Sequence, residues 1–168
     1  RDTMVLIGES SPETDEVFIR RAAELKAPIV FADKMYECIE KDKHDLLTRY
    51  TIRRRDNGKT QTIDLDLQGA YQDRNILTAR AAISRRRNRT TRSISTRARM
   101  SGMRSVAEST GRRGRWEVLS DSPYTVTDAG HNAHGMRYVA EEIATRKYDK
   151  LYMVIGFAGD KNLSDILP

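Results

Sequence analysis

Residues 115–157 place the tightest limit on what this chain can fold into. They run Arg-Trp-Glu-Val-Leu, a short turn, Tyr-Thr-Val-Thr-Asp, the polar stretch Ala-Gly-His-Asn-Ala-His-Gly, a helical repeat and then Leu-Tyr-Met-Val-Ile-Gly-Phe. Strand, acidic residue, polar loop, helix and strand is the order in which an α/β protein builds a ligand site. A strand ending at Asp128 delivers a carboxylate to the carboxyl edge of the sheet, where ligands of open parallel sheets collect. The helix after Gly135 points unpaired N–H groups at the same edge, which suits a nucleotide or phosphate. Residues 151–157 are nearly all apolar and are expected as a strand covered on both faces. The 124–157 stretch is long enough for one right-handed crossover.

Upstream, residues 4–8 and 28–33 are short apolar runs flanking a helix predicted over 14–26. Phe18, Ala22 and Leu25 share one face of that helix and Thr14 is its N-cap, giving a βαβ unit punctuated by Pro12 and Pro28. Residues 36–44 are expected as a short helix or loop. Residues 49–55 and 60–67 flank Asp56-Asn57-Gly58-Lys59 and predict a β-hairpin, because Asn-Gly readily supplies the positive φ angles of its turn. Gly58-Lys59-Thr60 is not a Walker phosphate loop, since that motif needs a glycine where Arg53 stands.

Two further helices are expected. One spans 71–84 with Ile76, Ala79 and Ile83 inward; the other spans 96–109 with Ala98, Met103 and Val106 inward and Ser95 as cap. Residues 85–92 read as a polar loop between them. Gly111 and Gly114 mark a hinge or domain boundary.

A chain of 168 residues holds one domain or two small ones with a real core. It starts at arginine without an initiator Met and is read as a piece of a larger soluble, cytoplasmic protein, with neither a signal peptide nor a membrane-length apolar run. Cys38, the single cysteine, has no disulfide partner and no CxxC companion for zinc, in keeping with a reducing compartment. His131-x-x-His134 has metal-like spacing but lacks an evident third ligand.

The net charge of +6 is uneven, because between Arg74 and Trp116 lie twelve arginines and one acid, Glu108. One reading is a nucleic-acid-binding module using Arg85, Arg86, Arg87, Arg89, Arg92, Arg97, Arg99 and Arg104 on phosphates. Against it, no aromatics are interleaved for base stacking and no recognition helix stands out, so a solvated arginine-rich face is preferred.

Several motifs occur in a familiar order. They are Val5-Leu6-Ile7-Gly8-Glu9 with Pro12-Glu13, then Ala27-Pro28-Ile29-Val30-Phe31-Ala32-Asp33, then Leu67-Gln68-Gly69-Ala70-Tyr71-Gln72-Asp73-Arg74-Asn75. Gly114-Arg115-Trp116-Glu117, Asp128-Ala129-Gly130-His131-Asn132, and Gly156 with Asp160-Lys161 follow. In this order and spacing the chain resembles the bifunctional folylpolyglutamate synthase/dihydrofolate synthase family of the Mur ligase group. The resemblance implies an α/β fold in two parts: residues 1–112 end a P-loop ATPase-type central, ATP-binding domain, and 113–168 begin a Rossmann-like C-terminal glutamate ligase domain.

It also implies an ATP- and magnesium-dependent ligase that activates a carboxylate of dihydropteroate or folate as an acyl phosphate and joins it to the amine of L-glutamate. Such an enzyme is expected to be monomeric, with no membrane or nucleic-acid partner. Gln72 and Asn75 match positions near the adenine, Arg115 the arginine near the phosphates, and Asp128 the acid at the ribose. His131 and Asn132 match a pair that reaches the phosphates. Gly130 and Ala133 stand where alanine and proline are usual, and Asn162 where an aspartate is common. Arg80, Arg85, Arg86, Arg99 and Arg112 stand where the family has apolar residues. The glycine-rich phosphate loop, the magnesium ligands and a carbamylated lysine are implied upstream of Arg1, so no metal ligand is expected here and ligation by this piece alone is not. A third reading is a non-catalytic nucleotide-binding piece.

Overall fold

Val5–Ile7 (β1), Asp15–Glu24 (α1) and Ile29–Phe31 (β2) form the expected βαβ unit, with β1 parallel to β2 and Val5 opposite Ile29. The computed structural model describes residues 3–44, 47–86, 95–159 and 163–166. Thr14 precedes α1 but contributes no side-chain cap; instead the Ser11 N–H donates to Asp15 Oδ1 at 2.8 Å. Of the predicted inward face only Ala22 is buried, while Phe18 and Leu25 stay exposed. A two-strand sheet has too little surface to cover a whole helical stripe.

A single helical turn, Ala32–Met35 (α2), leads into Tyr36–His44 (β3), which is a strand and not the expected short helix or loop. It pairs antiparallel with Leu47–Arg54 (β4), which pairs with Thr60–Leu65 (β5). The charges that disguise β3 in the sequence are what its pairing uses. Arg53 Nε donates to Glu37 at 2.6 Å and Thr51 donates to Glu40 at 3.1 Å. Charged residues on an edge strand also discourage unwanted strand addition. The β4–β5 turn is as expected, with Gly58 at φ +68° and Arg54 N–H bonded to Lys59 O at 2.9 Å.

Tyr36, Tyr50, Ile52, Ile63 and Leu65 of this sheet pack with Ile76, Leu77 and Ala81 of Gln72–Arg86 (α3) and with Met103 of Thr96–Arg104 (α4). Together they form the main core. Ala79, predicted inward, is exposed, because the buried face of α3 centres on Ile76, Leu77 and Ala81. Arg85 and Arg86 continue α3 where a loop was expected, and residues 87–94 lie outside the described residues.

The helix predicted over 96–109 is two helices, α4 and Val106–Thr110 (α5), broken at Ser105. Ser95 caps α4 as expected, accepting from Ala98 N–H at 3.1 Å, although Ala98 itself is exposed. The break follows from Asp66, whose Oδ2 accepts the N–H groups of Ala107 at 2.8 Å and Glu108 at 3.3 Å. A carboxylate on those two donors gives α5 its own N-terminus.

Glu117–Asp121 (β6) and Tyr124–Thr127 (β7) form an antiparallel hairpin, and Ala133–Ala144 (α6) follows. Two expectations fail here. β7 pairs with β6 alone among the described residues, so Asp128 stands at the end of a hairpin strand instead of a parallel sheet. Residues 151–157 form no strand, and Tyr152 is 80 % and Val154 100 % exposed. An apolar run becomes a strand only where a neighbour accepts its backbone hydrogen bonds, and none of the described residues does. The crossover expected over 124–157 is therefore absent from the described fold. Asp160, Lys161 and Asn162 lie outside the described residues, and Leu163–Asp165 is a 3-10 turn. No helix among the described residues is long and apolar enough to cross a membrane.

Candidate nucleotide site

Asp128, at the end of β7, is the centre of a clasp. Its Oδ2 accepts Trp116 N–H at 2.8 Å and Tyr71 Oη–H at 3.2 Å, and its Oδ1 accepts Gly130 N–H at 2.8 Å. An ionised carboxylate offers about four lone-pair positions, so three donors leave one, on Oδ1. Ala129 N–H donates to Gly114 O at 2.9 Å, and Gly114 N–H donates to Glu117 Oε2 at 2.8 Å. The start of β6 is thereby tied to the end of β7. Gly114 at φ +70° and Trp116 at φ +50° turn the chain there, and a positive φ is uncommon for tryptophan.

Tyr71 brings the start of α3 to this clasp. Burial and the Asp128 carboxylate both push its hydroxyl pKa above the ordinary phenol value, which keeps it a donor. Its ring meets Tyr138 of α6 edge-on, 5.9 Å between centroids, and the Arg74 guanidinium lies 5.4 Å from the same Tyr138 ring. Next to Tyr71, Gln72 is buried; its Nε2 donates to Gln68 O at 3.3 Å and its Oε1 accepts Asn75 Nδ2 at 3.1 Å. Asn75 is exposed. The two amides predicted as a pair are a pair in space, with Gln72 steadying Asn75.

Arg115 lines a cleft of about 490 Å³ together with Asp66, Arg104, Arg112, Arg113 and Trp116. Arg113 faces Glu117 at 3.5 Å, while Arg112 and Arg115 form no ion pair among the described residues. The buried Trp116 Nε1 has no hydrogen-bond partner among the described residues. Unpaired guanidinium groups and an idle N–H donor in one cleft fit an anionic ligand. Of the six predicted residues Arg115 alone lines this cleft; Gln72, Asn75, Asp128, His131 and Asn132 do not.

His131 is exposed and its Nδ1 lies 3.1 Å from Ala129 O. A carbonyl only accepts, so a hydrogen bond at this contact is donated by Nδ1. Asn132 is the N-cap of α6, its Oδ1 accepting Gly135 N–H at 2.8 Å. The helix consequently opens at Ala133, two residues before Gly135. His134 turns to Tyr138, 4.9 Å between ring centroids. Among the described residues no three His, Cys, Asp or Glu side chains gather as a metal site.

Tyr71 and the ion pair between Lys43 Nζ and the buried Glu142, at 2.6 Å, were not foreseen. Both join residues far apart in the chain. The one available signal was the position of Tyr71 directly before the Gln72 and Asn75 pair.

Several solved structures similar to this chain agree with one another. Folylpolyglutamate synthetase from Lactobacillus casei superposes with a TM-score of 0.70 at 20 % identity, covering 86 % of this chain and 36 % of that one. An FPGS-AMPPCP-folate complex gives 0.74 at 20 % identity over 86 % of this chain and 34 % of that one. The chain has the folylpolyglutamate synthase fold. The synthase from Mycobacterium tuberculosis complexed with ADP gives 0.70 at 21 % identity, over 86 % of this chain and 30 % of that one. The dihydrofolate synthase/folylpolyglutamate synthase of Buchnera aphidicola subsp. Baizongia pistaciae is 33 % identical over 55 residues, or 32 % of this chain and 13 % of the relative. The resemblance to folylpolyglutamate synthase/dihydrofolate synthase is therefore borne out. No family model matches the chain. It spans about a third of the length of these solved synthases and a smaller share of the Buchnera enzyme.

Proposed function

We propose that this chain forms part of the nucleotide site of an ATP-dependent carboxylate–amine ligase that adds L-glutamate to dihydropteroate or folate. The observation that carries the reading is the Asp128 clasp, which fixes a carboxylate with one open lone pair on Oδ1 while its Oδ2 accepts the N–H of Trp116, the residue that follows Arg115 in the chain. The names of the similar structures support it, one being a complex with AMPPCP and folate and another with ADP. Residues 1–112 would end the ATP-binding domain and 113–168 begin the glutamate ligase domain.

ATP, when bound, supplies the phosphoryl group that turns a substrate carboxylate into an acyl phosphate, from which the amine of glutamate displaces phosphate. Asp128 Oδ1 accepts a ribose hydroxyl with its remaining lone pair. Asn75, steadied by Gln72, presents an amide donor and acceptor to the adenine edge. Arg115, permanently charged and planar, pairs with phosphate oxygens where negative charge shifts during transfer. Asn132 Nδ2, left over from its capping bond, donates to the same phosphates, and His131 reaches them from the adjacent position in the loop.

In the enzyme that contains this chain, Asp128→Ala is expected to raise the KM for ATP several-fold more than that for folate. Equal loss on both substrates overturns the ribose assignment.

A further inference from the structure

A second cleft, of about 250 Å³, opens between the β3–β5 sheet, α3 and the start of α4, away from Arg115 and Asp128. Tyr36, Arg54, Gln61, Arg80, Ser84, Thr96 and Arg99 supply its polar lining, and none of its lining residues is acidic. Arg54 is already matched by Asp56 at 2.6 Å. Arg80 and Arg99 are partly buried, and among the described residues neither meets a carboxylate. Arg80 Nε donates to Gln61 Oε1 at 2.9 Å with its guanidinium 5.1 Å from the centre of the Tyr36 ring, and Arg99 donates to Thr96 Oγ1 at 2.9 Å. These contacts orient the two cations and, among the described residues, leave most of their N–H donors unused.

An independent observation points to a missing acceptor. Tyr36 is 2 % exposed and its hydroxyl has no hydrogen-bond partner among the described residues. A buried orphan hydroxyl costs free energy unless something pairs with it, and a half-buried guanidinium without a counter-charge costs more. The cleft also receives the N-terminus of the nine-residue α4, where the N–H groups of Thr96 and Arg97 precede the first intrahelical bonds. All four features ask for the same thing, a compact oxyanion.

We infer that this cleft binds a phosphate group, held by Arg80 and Arg99 with Tyr36 Oη and the α4 N-terminus. This reading gives Arg80 and Arg99 a reason to stand at positions where apolar residues are expected. The site is separate from the nucleotide cleft and does not depend on the ligase reading.

The test is a titration of the 168-residue chain with inorganic phosphate and, in a second arm, ribose 5-phosphate, at constant ionic strength so that general screening is held fixed. The readout is the arginine Nε–Hε resonances. Saturable shifts of Arg80 and Arg99 are expected at millimolar or lower anion. Arg80→Gln and Arg99→Gln should each weaken binding about tenfold. Tyr36→Phe, which keeps the packed ring, should weaken it by about threefold. Arg115→Gln should leave these shifts in place, separating this cleft from the nucleotide site. Tighter binding of ribose 5-phosphate identifies a monoester ligand and tighter binding of phosphate a free ion; both support the site. Absence of saturable shifts, or binding that survives the Arg80, Arg99 and Tyr36 substitutions, overturns it.

Discussion

Tyr71 Oη donates to Asp128 Oδ2 across 3.2 Å, joining residues 57 positions apart. Through that bond the first turn of α3, the start of β6 and the loop into α6 share one carboxylate. The same bond orients the oxygen pair on which the nucleotide reading rests.

Tyr71→Phe keeps the ring against Tyr138 and removes this donor. A hydrogen bond to a charged, half-buried acceptor is worth about 1.5 kcal/mol, so urea unfolding should show a loss of that order. Asp128→Asn should cost more, because the Trp116 and Gly130 N–H groups also lose a charged acceptor. In a double-mutant cycle the two changes should be non-additive, and strict additivity would show that the bond carries no energy.

Glu142 predicts an acid-sensitive junction between α6 and β3. Burial by itself raises its carboxyl pKa, but the Lys43 hydrogen bond and the charges of Lys43 and Arg146 outweigh this and hold it below the usual glutamate value. A depressed folded-state pKa stabilises above the unfolded value, and that contribution is lost as pH falls through the folded one. Stability should therefore decline below the ordinary glutamate range, and Glu142→Gln should flatten that decline. Lys43→Met leaves the buried carboxylate with Arg146 alone, 3.4 Å away, and should cost about 2 kcal/mol at neutral pH by thermal or urea unfolding.

Gly58→Ala isolates backbone conformation from packing. A Cβ at Gly58 would meet nothing within 4 Å, but φ is +68°. The expected cost is about 1 kcal/mol, from the left-handed angle alone. A neutral result would mean that the hairpin adopts another turn.

Asn132 separates capping from ligand contact. Asn132→Ala should lower stability by about 1 kcal/mol through loss of the Gly135 N–H acceptor. Asn132→Asp keeps that acceptor and restores stability, yet replaces the Nδ2 donor with negative charge. Nucleotide affinity should then fall in both variants, measured by calorimetric titration in the enzyme that contains this chain. Full affinity in the aspartate variant would remove Asn132 from the phosphates.

Much was legible wherever a short stretch of chain decides its own conformation. The βαβ order of residues 4–33, the Asn57-Gly58 turn, the Ser95 cap and the hairpin-to-helix run from Trp116 to Ile143 follow from apolar period, turn chemistry and capping. The local pairing of Gln72 with Asn75 and the loop holding Asp128, His131 and Asn132 were readable for the same reason, each lying within a few residues of its partner.

Other features were settled only when distant segments met. β3 is a strand because β4 offers Arg53 and Thr51 to its acids, and Ser105 breaks a helix because Asp66, some forty residues earlier, supplies an acceptor for Ala107. The Tyr71–Asp128 bond and the Lys43–Glu142 pair likewise have no trace in local composition. Residues 151–157 show the reverse case, a sequence suited to a strand that finds no ladder among the described residues. Backbone preference and apolar period are properties of neighbours in the chain, whereas pairing, charge compensation and burial belong to neighbours in space, and those exist only once the tertiary structure has formed.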